Sequence, residues 1–214
     1  MPLVIFCLAS FVMAADDGKS VALPKPKTEG GKPLMEVLKT RSSSREFSPR
    51  ALSDQILSNL LWAAAGVNRP ESGKRTAPSA MNWQEVAVYV VKADGAYLHD
   101  GKTHTLQPVL AKDIRALTGK QAFVKDAPVN LVYVADYNKM GRASNADKRM
   151  YSAADTGFIS QNVYLYCASE GLATVVRGLV DRAALAKAMK LRPEQKVVLA
   201  QTVGWPKKDK QADK

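Results

Sequence analysis

Cysteine is scarce in this chain of 214 residues, which contains Cys7 and Cys167 and no others. Cys7 lies in an N-terminal segment that we expect to be removed, so a single cysteine would remain. One thiol excludes an intramolecular disulfide and any zinc site built from cysteines, and we expect no metal. Cys167 lies in an apolar stretch, residues 163–168, with no cationic neighbour in sequence. This predicts a buried, unreactive thiol.

Long apolar runs are also missing after the first fifteen residues, where nothing approaches the roughly 20 residues that a membrane-spanning helix needs. We therefore expect a soluble mature chain with no membrane span. The content of hydrophobic residues is 46% and that of charged residues is 24%, as in an ordinary globular protein. The length suits one compact domain.

The N-terminal segment differs from the rest of the chain. Residues 2–13 are nearly all apolar or small, and Ala14 and Ala15 follow them. This pattern predicts a signal peptide over residues 1–14 and export to the periplasm or the medium. No Lys or Arg precedes the apolar run, as one usually does, and the alternative is a buried N-terminal strand or helix. Phe6 is too bulky for a lipoprotein cleavage site before Cys7, so we expect release rather than a lipid anchor.

Acidic residues are too few to balance the basic ones, and the formal net charge is +11. Nucleic-acid binding is one interpretation of such a charge. The basic residues are spread along the chain, however, and no zinc-finger or RNP pattern accompanies them. We favour an anionic small ligand together with a solvated basic surface, and no nucleic acid.

The order of predicted elements indicates an α+β domain over residues 33–207, between a flexible leader at residues 15–32 and a basic tail at residues 208–214. The leader is rich in Lys, Pro and Gly and would not pack alone. Periodicity and capping residues predict helices at 33–40, 53–65, 145–170 and 181–189, and strands at 85–92, 129–135, 172–176 and 196–203, with a hairpin near 96–102 and an irregular segment at 67–83.

The predicted helix at residues 145–170 carries apolar side chains nearly all round its surface. A helix of this kind must be buried on several sides, so we expect it to pack on its own sheet and on a second subunit. The two histidines, His99 and His104, flank a hairpin turn, and we expect them to be surface residues without a catalytic role.

Arg41 and Arg45 are separated by three serines, which predicts a binding site for phosphate. The two guanidiniums would lie on one side of a helical turn, and each can bind two phosphate oxygens at once. The hydroxyls of Ser42 and Ser43 can also donate. The alternatives are a solvated loop, or an arginine paired with Glu46.

Two further segments attract attention only in combination. Residues 77–84, immediately before a strand, contain Asn82 and Gln84, whose amides offer both a donor and an acceptor. Residues 169–178 break a long helix and end at Gly178, where a planar ligand could approach the backbone. Taken singly, the first would be a turn that leads into a strand, and the second an ordinary helix-to-strand connection.

Together these segments resemble the nitroreductase family of FMN enzymes over roughly residues 33–207. The family pattern R-x-S-x-[RK] matches residues 41–45, and P-S-x-x-N-x-Q matches residues 78–84. A Q-N pair in the long helix followed by G-L matches Gln161, Asn162, Gly171 and Leu172, and the terminal G-[YW]-P matches residues 204–206.

The resemblance implies a mixed, mainly antiparallel sheet flanked by helices, in an interlocked homodimer with FMN between the subunits. It also implies roles for individual residues. The FMN phosphate and ribityl chain would contact Arg41, Ser42, Ser43 and Arg45; the flavin of the other subunit would contact Pro78, Ser79, Ala80, Asn82 and Gln84; the isoalloxazine would lie along Val175, Val176, Arg177 and Gly178; Gln121 would face the pyrimidine edge, and Lys207 the phosphate.

The sequence departs from the family pattern in two places. Arg177 stands where an acidic residue is common, and it would favour the anionic reduced flavin or an anionic substrate. The basic phosphate ligand beyond G-[YW]-P is replaced by Lys207, Lys208 and Lys210. The short form most resembles the branch that contains azoline-oxidising dehydrogenases.

The resemblance implies a ping-pong reaction in which FMN accepts a hydride at N5 from a small-molecule donor, with NAD(P)H as a candidate. The flavin then reduces an acceptor such as a nitroaromatic, a quinone or an azoline-like compound. No side chain needs to act as acid, base or nucleophile. The alternative function is a non-catalytic module that binds flavin or an anion and has kept the fold.

Overall fold

The computed structural model describes residues 18–207. The predicted signal peptide and the basic tail at residues 208–214 therefore lie outside the described residues. Within the described range there are four α-helices: α1 (Leu34–Thr40), α2 (Asp54–Ala65), α3 (Asn145–Glu170) and α4 (Arg182–Ala188). The strands are β1 (Val21–Ala22), β2 (Val67–Arg69), β3 (Lys74–Arg75), β4 (Val86–Lys92), β5 (Gly95–Asp100), β6 (Thr105–Leu110), β7 (Val129–Asp136), β8 (Ala173–Arg177) and β9 (Gln195–Gly204).

Seven of these strands form one sheet in the order β1-β6-β5-β4-β7-β9-β8, and every neighbouring pair is antiparallel. β2 and β3 form a separate small hairpin. The α+β class with a mainly antiparallel sheet is confirmed. β8 is an edge strand, because β9 is its only neighbour in the described sheet.

The sheet has a hydrophobic layer on each face because side chains alternate along its strands. On one face, Val88 and Leu131 pack beneath α2 and α3. On the other face, Val91 and Val132 pack beneath α4. The strands β4 and β7 are Val-rich and largely apolar on both sides, as expected for strands that are covered by helices on both faces of the sheet.

Capping residues set the bounds of α3. The Ser144 side chain accepts the N–H of Asp147, and Gly171 ends the helix in a left-handed conformation with φ of 69°. One side of α3 is buried against the sheet, whereas Met150, Tyr151 and Phe158 on the other side are exposed. None of the helices in the described range is both long enough and apolar enough to cross a membrane.

The described part of the predicted leader, residues 18–32, forms hydrogen bonds with the domain. β1 pairs with β6, and the Lys27 N–H donates to the Asn59 side chain of α2 at 2.9 Å. Further on, the Lys32 N–H donates to Ser169 at 3.0 Å. These backbone groups find their partners on the domain surface, so the segment is held although it has little apolar content of its own.

The prediction that both histidines are surface residues is wrong for His99, which is 8% exposed. Its Nε2 lies 3.4 Å from His104 Nδ1, and His104 Nε2 lies 2.7 Å from the buried Ser58 hydroxyl. Burial, followed by the charges of His104 and Arg75, lowers the pKa of His99 to about 3. The leader and α2 cover this part of the hairpin. Cys167 is buried as predicted, and burial raises the pKa of its thiol.

Candidate functional site

The Arg41–Arg45 segment follows α1 and runs beside the open edge of β8. The Ser44 N–H donates to the Thr174 carbonyl at 3.0 Å. An edge strand presents unpaired backbone groups, and this segment takes up one of them. The Arg41–Arg45 segment and the segment at residues 169–178, which are about 130 positions apart in the chain, are therefore adjacent in the fold.

Tyr164 of α3 joins the two motifs. Its hydroxyl accepts the Val176 N–H at 2.9 Å and lies 2.8 Å from the Ser43 hydroxyl. The Arg41 guanidinium lies over the Tyr164 ring, 5.2 Å from its centroid, within the range of a cation–π contact. Sequence reasoning did not single out Tyr164. The available signal was a tyrosine in a buried helix, because its hydroxyl needs a hydrogen-bond partner there.

Three basic residues have backbones close to this junction, and we call them the basic cluster: Arg41, Arg45 and Lys207. Lys207 belongs to it because the Lys207 N–H donates to the Glu46 carbonyl at 3.3 Å. None of the three lies within 4 Å of a carboxylate among residues 18–207. The alternative pairing of an arginine with Glu46 is therefore not what the structure has. An anion would find partners here that no carboxylate of the described chain occupies.

The edge of β8 continues from Val176 to Gly178. Because backbone groups alternate along a strand, the N–H of Gly178 follows that of Val176 on the same edge. Gly178 is exposed, and an added Cβ would meet only Leu199, at 3.8 Å, so nothing within the subunit requires a glycine. The backbone is accessible to a ligand at this position.

Gln121 lies at the same end of β8. The neighbouring Lys120 N–H donates to the Leu179 carbonyl at 3.2 Å, which brings the two segments together. The Oε1 atom of Gln121 is buried and has no hydrogen-bond donor among the described residues. Buried acceptors are normally satisfied, so this oxygen is suited to a ligand N–H.

The side chain of Arg177 points away from the site, which corrects the prediction that it lies beside a flavin. It is 4% exposed and donates to the Thr118 carbonyl, Asn130 Oδ1 and the Thr202 hydroxyl at 2.7, 2.9 and 3.1 Å. Burial lowers its pKa to about 10. A Cβ at Gly119 would overlap the Arg177 Nη1 atom. This guanidinium holds the interior together, and only the backbone of Arg177 is near the edge of β8.

The segment at residues 77–84 lies apart from the Arg41–Arg45 segment and from β8 within the subunit. We call residues Pro78–Gln84 the asparagine loop. Its Ala80 N–H donates to Asp155 of α3 at 2.9 Å. Asp155 precedes Tyr164 by nine residues, which is about 14 Å along a helix axis. Pro78, Met81 and Asn82 are exposed, and the loop projects from the surface.

Gln84 and Ser79 shape this loop through hydrogen bonds inside the subunit. The Gln84 amide donates to the Gly73 carbonyl at 3.0 Å and to Asn82 Oδ1 at 3.1 Å. The Ser79 hydroxyl accepts the Gln84 N–H at 2.8 Å and donates to Glu85 Oε2 at 3.2 Å. Both side chains have partners inside the subunit, as does the Ala80 N–H.

Within residues 18–207, no three His, Cys, Asp or Glu side chains are grouped so as to hold a metal.

Comparison with known proteins gives a consistent result. The sequence pattern of the nitroreductase family matches residues 38–205. A protein of Methanocaldococcus jannaschii that is assigned to the nitroreductases is 33% identical over 171 residues, covering 75% of this chain and 85% of its own length. The crystal structure of a protein from Ralstonia eutropha JMP134, which is also assigned to the nitroreductases, has a TM-score of 0.86 at 42% identity. The match covers 91% of this chain and 93% of the Ralstonia chain.

A third structure shares the fold at lower identity. It is a protein of Desulfovibrio desulfuricans that is assigned to the nitroreductases, in complex with FMN, with a TM-score of 0.60 and 22% identity, over 84% of this chain and 89% of its own. The family match covers most of the chain. It includes the asparagine loop, β8, and Arg41 and Arg45 of the basic cluster, and it ends before Lys207. The chain therefore belongs to the nitroreductase family.

Proposed function

We propose that the protein is an FMN-dependent oxidoreductase whose cofactor lies along the open edge of β8. The observation that carries this proposal is the basic cluster, which has no acidic partner in the described chain and adjoins accessible backbone at Gly178. A ligand that fits must be elongated, with an anionic group at one end and a hydrogen-bonding ring at the other. FMN has this form, and the FMN-bound neighbour of the same fold supports the choice.

The residues present suit each part of the cofactor. Arg41, Arg45 and Lys207 would hold the phosphate, and the hydroxyls of Ser42 and Ser43 would contact the phosphate and the ribityl chain. The backbone at Val175–Gly178 would lie along the ring. The unpaired Oε1 of Gln121 would accept the imide N–H of the pyrimidine edge.

We further propose that the active form is a homodimer. Tyr151 and Phe158 on the outer face of α3 are 37% and 47% exposed, and Met81 of the asparagine loop is 82% exposed. Large apolar side chains exposed together are typical of a subunit interface. The asparagine loop is too far along α3 to reach its own β8 edge, so it would deliver Asn82 to the cofactor of the other subunit.

The chemistry follows from the cofactor rather than from acidic or basic side chains. When bound, FMN supplies hydride transfer through N5. The protein would orient the ring on the β8 edge and admit first a donor, with NAD(P)H as the candidate, and then an acceptor such as a nitroaromatic, a quinone or an azoline-like compound. With the side chain of Arg177 turned inward, no cation of that residue would select an anionic substrate.

Two further features of the proposal come from the sequence alone. We propose export to the periplasm or the medium on the basis of the apolar segment at residues 2–13. An exported enzyme would need an electron donor other than the cytoplasmic pool of NADH. We also propose a relationship to the azoline-oxidising branch of the family, which the sequence resembles.

Reduction under anaerobic conditions tests the enzyme proposal against the non-catalytic alternative. The purified full-length protein is loaded with FMN, its mass is measured by light scattering, and the flavin is reduced with dithionite. Addition of a nitroaromatic or a quinone should then reoxidise the flavin within the mixing time of a stopped-flow instrument. A protein that binds FMN but is not reoxidised faster than a buffer blank would support the non-catalytic module. A protein that binds no FMN would refute the enzyme proposal and the flavin-binding form of the alternative.

A further inference from the structure

The asparagine loop is held in an unfavourable backbone conformation. Met81, Asn82 and Gln84 have φ values of 49°, 54° and 48°. These values lie in the left-handed region, where side chains other than glycine are disfavoured. Three such residues within four positions persist only if their surroundings hold them.

Two carboxyl groups provide much of this support. Glu85 Oε2 accepts the Ser79 hydroxyl at 3.2 Å, and Asp155 Oδ2 accepts the Ala80 N–H at 2.9 Å. The Ser79 hydroxyl in turn accepts the Gln84 N–H at 2.8 Å, which ties the far end of the loop to the same pair. Loss of either carboxyl would release one end of the loop.

The two carboxyls are buried together. Glu85 is 0% exposed and Asp155 is 2% exposed. Burial raises the pKa of Glu85, its own backbone N–H opposes this increase, and the neighbouring Asp155 carboxyl raises the pKa further. Glu85 Oε1 has no donor among the described residues. A proton on the Glu85 carboxyl would turn it into a hydrogen-bond donor toward Asp155.

Two cations face the pair without neutralising it. Arg75 of β3 and Lys139 are close enough to interact with Glu85 through charge, but neither lies within 4 Å of a carboxylate in the described chain. Lys139 donates instead to the Gln84 carbonyl at 3.1 Å. The Ser79 hydroxyl and the backbone N–H of Glu85 are further polar groups beside the Glu85 carboxyl. Two negative charges at this position would therefore repel each other with little compensation.

We propose that Glu85 and Asp155 share one proton, and that this protonated pair is the positioning device that holds the asparagine loop. The proton shared between β4 and α3 keeps Ala80 and Gln84 in place, so Asn82 is presented in one conformation. The final link, from loop geometry to the flavin of the other subunit, rests on the proposed function. Glu85 and Asp155 do not touch the cofactor.

The shared proton sets the direction in which pH changes the open fraction of the asparagine loop. Because the pKa of Glu85 in the folded loop lies above its usual value of 4.5, opening of the loop releases a proton between those two pH values. The open fraction should then increase by up to tenfold per pH unit in this window. Below the window the loop is most strongly held, and above it the support from the shared proton is lost.

Hydrogen exchange at the amides of Ala80 and Gln84 tests the pair directly in the full-length protein, with and without FMN. After correction for intrinsic exchange, protection in the wild type should fall as pH rises. Glu85→Gln retains hydrogen bonds to Ser79 and Asp155 without a second charge, so its protection should be flat with pH. Glu71→Gln, an exposed change of the same kind, should keep the wild-type slope. Equal slopes in the wild type and Glu85→Gln would overturn the shared proton.

The affinity for FMN separates this inference from the proposed function. Titration of the FMN phosphate affects the wild type and Glu85→Gln alike. The ratio of their dissociation constants for FMN therefore reports only the effect of the Glu85–Asp155 pair. The wild type should lose affinity relative to Glu85→Gln as pH rises, by several fold across the window. If exchange behaves as expected but no FMN binds, the proposed function fails and the pair stands. If FMN binds with a pH-independent ratio, the link from the pair to the flavin is overturned.

Discussion

The hydroxyl of Tyr164 accepts the backbone N–H of Val176 at 2.9 Å, and this bond connects the long helix to the open edge of the sheet. The same hydroxyl contacts Ser43, so one side chain sets the spacing between the basic cluster and the strand beside it. The position of the proposed phosphate site relative to the proposed ring site depends on this tyrosine.

Removing that hydroxyl should weaken both stability and cofactor binding. We expect Tyr164→Phe to lose about 1 kcal/mol of unfolding free energy, since a buried N–H loses its acceptor, and to bind FMN roughly fivefold more weakly. Tyr166→Phe is the matched control, because its hydroxyl bonds to the Ile56 carbonyl away from the site. Fluorescence titration with FMN measures the effect, and equal affinities in the two variants would contradict the role given to Tyr164.

Neutralising the basic cluster should affect FMN far more than riboflavin. Loss of a charge-assisted contact to phosphate costs about 1.5–3 kcal/mol, so Arg45→Gln should weaken FMN binding by roughly ten- to a hundredfold. Riboflavin has no phosphate, and its affinity should stay within about twofold. Arg142→Gln, an exposed change beyond the far end of β7, is the control. A parallel loss of FMN and riboflavin affinity would place the phosphate elsewhere.

Arg177 should matter for stability rather than for flavin chemistry. Arg177→Met removes the buried donor of the Thr118 carbonyl and of the Thr202 hydroxyl oxygen, whereas Asn130 Oδ1 keeps the Thr202 hydroxyl as a donor. We expect a loss of about 2–4 kcal/mol in urea unfolding. Gly119→Ala should be destabilising by itself because its Cβ would overlap the guanidinium, but much less so in the Arg177→Met background. Additive effects of the two substitutions would contradict this packing.

Acid should destabilise the protein partly through His99. Its pKa in the fold is about 3, below the usual 6.5, so the unfolded chain binds the proton first. The stability contributed by neutral His99 is present above pH 6.5 and is lost as pH falls toward 3, by up to about 1.4 kcal/mol per unit. His99→Gln should flatten the dependence of unfolding free energy on pH between these values. An unchanged slope would show that His99 charges freely in the fold.

The elements were largely predictable because their signals are local. A serine cap and a left-handed glycine bound α3, and a largely apolar, Val-rich run marks β7, so both were predicted close to their observed bounds. β1 could not be predicted, because its two residues owe their conformation to pairing with β6 and not to their own propensity.

At the candidate site, Tyr164 and several side-chain directions could not be predicted from the sequence. Alternation along β8 indicates that Val176 and Arg177 face opposite sides without saying which side carries the site, and a buried arginine requires partners from distant segments such as Thr118. Likewise, nothing local to Glu85 shows that a second carboxyl, from α3, is buried against it. Such pairings arise only when the chain is folded.

Mixing of subunits tests the shared site most directly. Arg41→Gln/Arg45→Gln removes one half of the proposed site, and Asn82→Ala damages the half contributed by the asparagine loop. If each FMN lies between subunits, a heterodimer of the two variants contains one intact site and one doubly damaged site. The account predicts that mixed dimers recover about one tightly bound FMN per dimer, although neither parent binds it tightly. No recovery in verified heterodimers would show that both halves belong to the same subunit and would contradict the account.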